Sequence, residues 1–258
     1  FVGANGNGTA PILDGSKKAV ILYQVEPTLD LPNPEKAKEA LLQAQTVIAC
    51  SAYISDDLLD LADVILPITP YSEQAGTYIN IAGDVQTIQA AVRPLGQSRP
   101  GWKVLRVLAD LLKLDGFAFN SVDEVTSSAL GDANISNKLS NHVQVVLEAG
   151  NSNSNGSIER VADVPIYFSD AIVRRASSLH LTLDSKNAIK AGVSEDLLHQ
   201  LNLKEGDSIK VTQSSQSVVL PVTLQKSLAS GAIRISSGTP VSALLGDAFG
   251  SIAVERAE

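Results

Sequence analysis

Four residues between positions 73 and 80 have side-chain types and a spacing that could bind a ligand. They are Glu73, Gly76, Thr77 and Asn80. Glycine allows the backbone to approach a ligand closely, and the threonine and asparagine side chains can form hydrogen bonds with a polar heterocycle. The same side chains could instead bind one another and hold a loop in place, so the sequence leaves both interpretations open.

Three apolar segments, which alternate with two helical ones, would position these residues. Residues 19–25, 46–51 and 62–67 are short and apolar, which is typical of strands buried in a parallel sheet. Residues 34–44 show a helical spacing of apolar side chains, and residues 55–61 predict a short helix that begins at an N-cap serine. The alternation predicts βαβ units in an α/β fold with right-handed crossovers. The four candidate residues would then lie just beyond the carboxyl end of a strand, where such sheets bind ligands.

The residues that follow the third strand predict loops and one further helix. Residues 71–100 contain many glycines and prolines, which favours an irregular stretch of ligand loops. Residues 102–113 predict a helix with one apolar face, formed by Leu105, Leu108, Ala109 and Leu112. Residues 115–150 show no clear pattern.

A polar, low-complexity run at residues 151–157 divides the chain into two predicted domains. Residues 1–150 form part of an α/β domain with a Rossmann-like parallel sheet. Residues 151–258 contain the linker and then short strands separated by turns, which predict a small β-barrel. The predicted strands are 208–212, 217–224, 231–236 and 251–255, with one helix at 193–201 that begins at Ser194.

The composition narrows the possible partners. The net charge is −8, and no cluster of lysine and arginine marks a polyanion-binding surface, so nucleic acid is not an expected partner. No apolar run approaches the roughly 20 residues that span a bilayer, so no direct membrane insertion is expected. The chain starts at Phe1 and contains no methionine, which indicates a fragment of a longer protein.

Other residues with reactive side chains favour structural roles. Cys50 is the single cysteine and lies in an apolar run, which predicts a buried, inert thiol and no disulfide or metal cluster held by this chain. His142, His180 and His199 lack metal-binding spacing, so we expect them to be surface or packing residues. Asp56 lies in the first turn of a predicted helix, where its negative charge interacts favourably with the helix dipole.

Arg174 and Arg175 form a basic pair that follows Asp170. The pair could anchor the interface between the domains or meet a partner subunit through charge-assisted hydrogen bonds. It could equally be an ordinary exposed pair, which would contribute only about 0–1 kcal/mol.

The candidate ligand loop resembles a known signature. Ala62–Pro67 and the following Glu73–Asn80 are similar to the ADVxLP and ExxGTxxN motifs of the molybdopterin oxidoreductase superfamily. The passage that contains Gly83, Gln86 and Arg99–Trp102 resembles the continuation of that signature. The resemblance therefore adds Gly83 and Gln86 to the candidate cofactor-binding residues.

Two later segments also resemble the superfamily, and the first of them resembles one branch of it. Val164–Leu179 is similar to the passage before the terminal barrel of the large iron–sulfur subunit of NADH:quinone oxidoreductase, or complex I. Leu203–Asp207 resembles the double-psi-like barrel that binds the molybdopterin dinucleotide in active members. Asp84 stands where the signature usually has arginine, so the resemblance implies a vestigial pterin site.

The resemblance implies a non-catalytic scaffold in respiratory electron transfer from NADH to quinone. It implies no cofactor in this part, [2Fe–2S] and [4Fe–4S] clusters elsewhere in the full-length chain, and other peripheral-arm subunits as partners. The expected location is the bacterial cytoplasm, peripheral to the inner membrane through the complex. One alternative is an active molybdopterin oxidoreductase, such as a formate dehydrogenase, that holds molybdopterin guanine dinucleotide. Another is an unrelated protein that binds a small ligand.

Overall fold

Two structural units follow one another along the chain in the computed structural model, which describes residues 9–80, 82–131 and 157–257. The first contains a three-stranded parallel sheet with helices, and the second contains a closed six-stranded barrel. The predicted fold, a parallel α/β domain followed by a small double-psi-like barrel, is therefore confirmed. Among the described residues, no helix is both long and apolar enough to cross a membrane.

The parallel sheet consists of three neighbouring strands in chain order. They are β1 (Ala19–Tyr23), β2 (Thr46–Ser51) and β3 (Val64–Pro67). Val20 lies opposite Val47, which fixes the register of the first pair. The sequence predicted all three strands, because each is a short apolar run with a helix before the next.

The helices between the strands begin where local side chains can cap them. After the short helices α1 (Thr9–Ile12) and α2 (Pro27–Asp30) comes α3 (Pro34–Gln43), where the Asn33 side chain accepts a hydrogen bond from the Lys36 backbone. The apolar face of α3 is buried as its spacing predicts. Helix α4 (Asp56–Leu61) begins at Ser55, the predicted N-cap, whose hydroxyl accepts from the Leu58 N–H.

A β-hairpin and two helices follow the sheet. Strand β4 (Gly76–Ile79) pairs antiparallel with β5 (Val85–Ile88), so the prediction that residues 71–100 are irregular is wrong for these two short strands. Helix α5 (Gly101–Leu111) was expected, but Leu112 lies beyond its end and is 60% exposed instead of sharing the buried face. Helix α6 (Val122–Leu130) lies in the stretch without a sequence pattern.

One face of the parallel sheet is only partly covered by α5 in the described part of the chain. Ile21, Tyr23 and Val64 are 48%, 39% and 45% exposed. A groove on this side is bordered by Val64 of β3 and by Val107 and Leu111 of α5. Parallel sheets normally have both faces covered, so this apolar face is suited to packing against another polypeptide segment.

The second unit is a barrel with two parallel strand pairs. Its strands are β6 (Ile158–Val161), β7 (Ala191–Val193), β8 (Ser208–Gln213), β9 (Gln216–Leu224), β10 (Ala232–Arg234) and β11 (Gly250–Arg256). They close in the order β10, β6, β11, β8, β9, β7, with β6 parallel to β10 and β7 parallel to β9. Buried aliphatic side chains fill the centre.

Two helices accompany the barrel, and the sequence indicated only one of them. Helix α8 (Glu195–Gln200) begins at Ser194 as predicted, because the serine hydroxyl accepts from the Leu197 N–H. Helix α7 (Leu183–Ala188) and strands β6 and β7 were not predicted. Each of these elements is only three to six residues long, so it carries too few positions to show a periodicity.

Candidate functional site

A pocket of about 830 Å³ opens at the carboxyl end of β1. Its walls come from the end of β1, from the residues around β4, from the start of α5 and from α6. Three aromatic side chains, Tyr23, Tyr78 and Trp102, line it together with aliphatic residues of α6. Its position agrees with the rule that open α/β sheets bind ligands beyond the carboxyl ends of their strands.

Two glutamine side chains are held at this pocket by buried Thr69. The Gln24 Nε2 atom donates to the Thr69 carbonyl at 3.2 Å, and the Thr69 hydroxyl donates to Gln74 Oε1 at 3.3 Å. The Gly101 N–H donates to the same Gln74 oxygen at 3.3 Å. These bonds fix both amides and leave Gln24 Oε1 and Gln74 Nε2 without a protein partner among the described residues.

The wall formed by Tyr23 depends on Gly101. A Cβ atom at position 101 would overlap the Tyr23 hydroxyl oxygen, so only glycine lets the ring lie there. Burial raises the pKa of the Tyr23 hydroxyl above its ordinary value, and the nearby Cys50 and Tyr78 act in the same direction. Tyr23 therefore presents a neutral hydroxyl at physiological pH.

Three of the six predicted site residues line the pocket: Gly76, Thr77 and Asn80. The Thr77 hydroxyl lies 3.2 Å from the Thr126 hydroxyl of α6. The Asn80 side chain donates to Asp84 Oδ2 at 3.1 Å and accepts from the Asp84 N–H at 2.9 Å. Asn80 is thus bound to the hairpin turn, as the loop-holding alternative describes.

The other three predicted residues lie around the pocket and not in its lining. Glu73 Oε2 accepts from the Leu95 N–H at 3.0 Å and so holds the loop after β5. Gly83 has a φ of +90° in the turn between β4 and β5, a conformation that glycine adopts without strain. Gln86 lies in β5, opposite Tyr78. The assignment of all six residues to a cofactor site stays a prediction.

Among the described residues that line the pocket, the two tyrosines are the only ones with an ionisable side chain. A pyrophosphate carries negative charge and is normally held by arginine, lysine or a fan of backbone N–H groups. The described residues that line this pocket therefore do not fit the pyrophosphate of molybdopterin guanine dinucleotide, the cofactor of the alternative interpretation. Asp84, at the nearby hairpin turn, adds negative charge and makes the fit worse.

The basic pair Arg174 and Arg175 binds the sheet unit and is not an exposed pair. Arg174 Nη2 lies 2.9 Å from Glu26 Oε2 and 2.7 Å from Asp30 Oδ1, and Arg175 Nη2 lies 2.5 Å from Glu26 Oε1. The Arg174 and Glu26 side chains are 6% and 2% exposed. The Arg175 guanidinium also stacks over the Tyr53 ring at 4.6 Å. Of the alternatives that the sequence left open, the structure therefore shows the interface anchor.

These bonds determine the ionisation of Glu26. Burial acts to raise the pKa of the carboxyl group, but the hydrogen bonds and charges of Arg175 and Arg174 outweigh it. The net result is a pKa below the ordinary value, so Glu26 is ionised at neutral pH.

Arg160 is a buried residue that sequence reasoning missed. Its guanidinium donates to the carbonyls of Ile235, Gly246 and Asp247 and to Gln213 Oε1, all between 2.9 and 3.4 Å. Burial lowers the pKa of Arg160 to about 10, partly offset by the charge of Asp247. Its strand, Ile-Glu-Arg-Val, is too short and too polar to reveal a buried position, so the sequence carried no clear signal.

Cys50 and His180 have structural roles, as the sequence predicts. Cys50 is fully buried, and burial raises the pKa of its thiol. His180 packs between the Ser185 hydroxyl at 2.8 Å and the Arg174 carbonyl at 3.0 Å. His142 lies outside the described residues.

Comparison with known proteins relates the first unit to a family of enzymes. Residues 3–111 match the family model described as molybdopterin oxidoreductase. A nitrate reductase of Shewanella frigidimarina is 30% identical over 109 residues, which cover 42% of this chain and 12% of the relative. The mitochondrial NADH-ubiquinone oxidoreductase 78 kDa subunit of Neurospora crassa is 29% identical over 180 residues, which cover 63% of this chain and 24% of the relative.

A third relative has the same name as the Neurospora crassa protein. The mitochondrial NADH-ubiquinone oxidoreductase 78 kDa subunit of Candida albicans is 33% identical over 105 residues, which cover 41% of this chain and 14% of the relative. The resemblance inferred from the signature residues is thereby confirmed. The chain spans between 12% and 24% of the length of these three relatives.

A solved structure shares the fold. Acetylene hydratase from Pelobacter acetylenicus matches with a TM-score of 0.64 and 15% sequence identity, over 93% of this chain and 44% of that one. At this identity the similarity concerns the fold alone, and it supports the combination of parallel sheet and barrel.

Proposed function

Because residues 3–111 match the molybdopterin oxidoreductase family, we propose that this chain is the C-terminal region of the large peripheral-arm subunit of NADH:quinone oxidoreductase. It acts there as a scaffold and does not itself catalyse a reaction. The observation that carries the proposal is that no lysine or arginine stands among the described residues that line the pocket, where a phosphate-bearing cofactor would need one. The aspartate at position 84, where the signature has arginine, points the same way.

The similarity to respiratory subunits supports the choice of NADH:quinone oxidoreductase over an active molybdopterin enzyme. The Neurospora crassa relative aligns over 180 residues, which is a longer stretch than the 109 residues shared with the nitrate reductase. In the proposed role the full-length chain carries [2Fe–2S] and [4Fe–4S] clusters outside this region, and the region binds other peripheral-arm subunits. The assembly then lies at the cytoplasmic side of the inner membrane of a bacterium.

The partly exposed sheet face supports a packing role. Val107 and Leu111 of α5 are 56% and 73% exposed, and they border the same groove as Val64 of β3. An apolar surface of this kind is normally buried against another segment or subunit. A scaffold region needs such a surface, whereas a catalytic site does not.

An active molybdopterin oxidoreductase is the second candidate, and one observation favours it. The nitrate reductase of Shewanella frigidimarina is about as similar in percentage identity, at 30%, as the respiratory subunits, at 29% and 33%. In this alternative the loops around Thr77 and Asn80 would contact a pterin, and cations from elsewhere in the full-length protein would hold the phosphates.

The metal content of the full-length native protein distinguishes the two candidates. We expect iron but no molybdenum or tungsten by elemental mass spectrometry, with an active formate dehydrogenase purified in parallel as the control for cofactor retention. A near-stoichiometric molybdenum or tungsten content would contradict the scaffold proposal and support the enzyme.

A further inference from the structure

A groove of about 690 Å³ lies between the partly exposed face of the parallel sheet and helix α5. Ile48 and Leu66 of the sheet and Val107 and Leu111 of α5 give it an aliphatic floor. Both α5 residues are more than half exposed. Parallel sheets normally have both faces covered, so this floor is suited to burial against a further polypeptide segment.

Three cationic side chains line the same groove: Arg99, Lys103 and Arg106. All three are exposed, and no aspartate or glutamate is among the described residues of the lining. None of the three forms an ion pair within the part of the chain that the structure describes. The chain as a whole has a net charge of −8, so this positive charge is a local property of the groove.

The cations lie along one flank of α5. Lys103 and Arg106 are three positions apart in the helix, so they lie on the same side of it. The Lys103 Nζ atom lies 5.4 Å from the centroid of the Trp102 ring. Asp110 borders a neighbouring recess together with Arg106, but the two form no ion pair in the described structure. The groove therefore combines an aliphatic floor with an unpaired basic flank.

An amphipathic helix with an acidic flank is complementary to this surface. Helices are the elements that cover the faces of parallel sheets, and they satisfy their own backbone hydrogen bonds. An extended segment would leave its backbone groups unpaired there, because a sheet offers hydrogen-bond partners at its edges and not on its faces. Aspartate or glutamate on the docked helix would form charge-assisted hydrogen bonds with Lys103 and Arg106.

The length of the relatives favours the same polypeptide as the source of this helix. The chain spans between 12% and 24% of the three relatives described above. The acetylene hydratase fold matches over 44% of its own chain, so more than half of that chain lies outside the match. A segment joined covalently to the groove has a high effective concentration, which favours it over a separate subunit of equal complementarity.

We propose that a helix from another part of the full-length polypeptide, outside residues 1–258, docks in this groove. Its aliphatic face packs on Val107 and Leu111, and its acidic flank binds Lys103 and Arg106. The proposal rests on the longer polypeptide that both candidate functions share. The metal content that separates those two functions therefore does not decide it, and its own failure would leave that result unchanged.

Zero-length cross-linking of the full-length native protein tests the contact. A water-soluble carbodiimide joins an ammonium group to a carboxylate that it contacts directly, and mass spectrometry identifies the joined peptides. We expect Lys103 to be joined to an aspartate or glutamate outside residues 1–258, in a product that keeps the mass of one chain. The joined segment should carry aliphatic residues at a spacing of three and four positions.

An internal control shows whether the reaction works. Lys210 Nζ lies 2.8 Å from Glu255 Oε1 at the surface of the barrel, so this pair should be joined in the same sample. No cross-link at Lys103 while Lys210 reacts would overturn the proposal. A link from Lys103 to another subunit, to a second copy or to a carboxylate within residues 1–258 would also overturn it.

A matched pair of variants of the full-length protein tests the aliphatic floor. Leu111→Glu places a carboxylate against the docked helix at a side chain that is 73% exposed in this chain. The yield of the Lys103 cross-link should fall at least about tenfold, because the new charge meets apolar and acidic groups. Leu42→Glu changes a 64% exposed leucine of α3, which packs on the opposite sheet face, and should leave the yield unchanged. Circular dichroism confirms that both variants are folded, and equal yields in the two would refute docking in this groove.

Discussion

Arg174 Nη2 lies 2.9 Å from Glu26 Oε2, although the two residues are 148 positions apart in the chain. Glu26 follows the end of β1, and Arg174 belongs to the segment that precedes the barrel helices. Arg175 binds the other oxygen of the same carboxylate. The pair therefore ties the segment between barrel strands β6 and β7 to the end of β1, where Tyr23 and Gln24 border the pocket.

Replacing Glu26 with glutamine should destabilise the fold. The change removes the charge that two arginines share and leaves a buried Arg174 with weaker acceptors. Breaking a buried ion pair typically costs about 3–5 kcal/mol, and urea unfolding measures the loss. Glu255→Gln is the matched control, because its partner Lys210 is at the surface and the midpoint should not change. Equal effects of the two substitutions would show that the ion pairs of Glu26 contribute no more to the free energy of unfolding than a surface ion pair does.

The stability contributed by Glu26 should depend on pH. Because the pKa of Glu26 is lowered in the folded protein, the unfolded state takes up a proton first as the pH falls. The contribution is therefore present above the unfolded pKa of about 4.3 and is lost as the pH falls through the folded value. Arg174, Arg175 and Asp30 are the charged groups that face the carboxylate.

The free energy of unfolding, followed from neutral pH to about pH 3, measures this dependence. The wild-type chain should lose more stability below about pH 4.5 than Glu26→Gln does. The acid slope of Glu26→Gln should be shallower, since its side chain does not titrate. Parallel slopes for the two proteins would contradict the assignment.

Replacing Gly101 with alanine should disturb the pocket wall. The new Cβ would overlap the Tyr23 hydroxyl, so the ring must move. Overpacking of this kind typically costs about 1–3 kcal/mol, and urea unfolding measures it. In the double variant with Tyr23→Ala the clash disappears. The changes in the free energy of unfolding that the two substitutions cause should therefore not add up. Strict additivity would show that Tyr23 does not occupy the position described.

Replacing Arg160 with methionine should also destabilise the barrel. Methionine has a similar length but donates no hydrogen bond, so the carbonyls of Ile235 and Gly246 lose a donor. Unsatisfied buried acceptors cost about 1–3 kcal/mol in urea unfolding. Arg160→Lys should recover only part of the loss, because one ammonium cannot match the fork geometry of a guanidinium. A more stable Arg160→Met variant would show that desolvation of the guanidinium outweighs its hydrogen bonds.

Local patterns explain which parts of the fold could be predicted. The strands β1, β2 and β3 and the N-caps Ser55 and Ser194 were found from the sequence, because apolar runs and capping bonds involve residues only a few positions apart. The hairpin of β4 and β5 was missed because each strand has four residues, which is too short for alternation to show.

The sequence by itself determined the α/β and barrel architecture, the signature loop from Glu73 to Asn80 and the burial of Cys50. Only the tertiary structure decided that Gln24 joins Gln74 at the pocket and that Glu26 binds Arg174. The physical reason is sequence separation. Periodicity and capping are encoded within one or two turns of chain, whereas these contacts arise only when distant segments pack together.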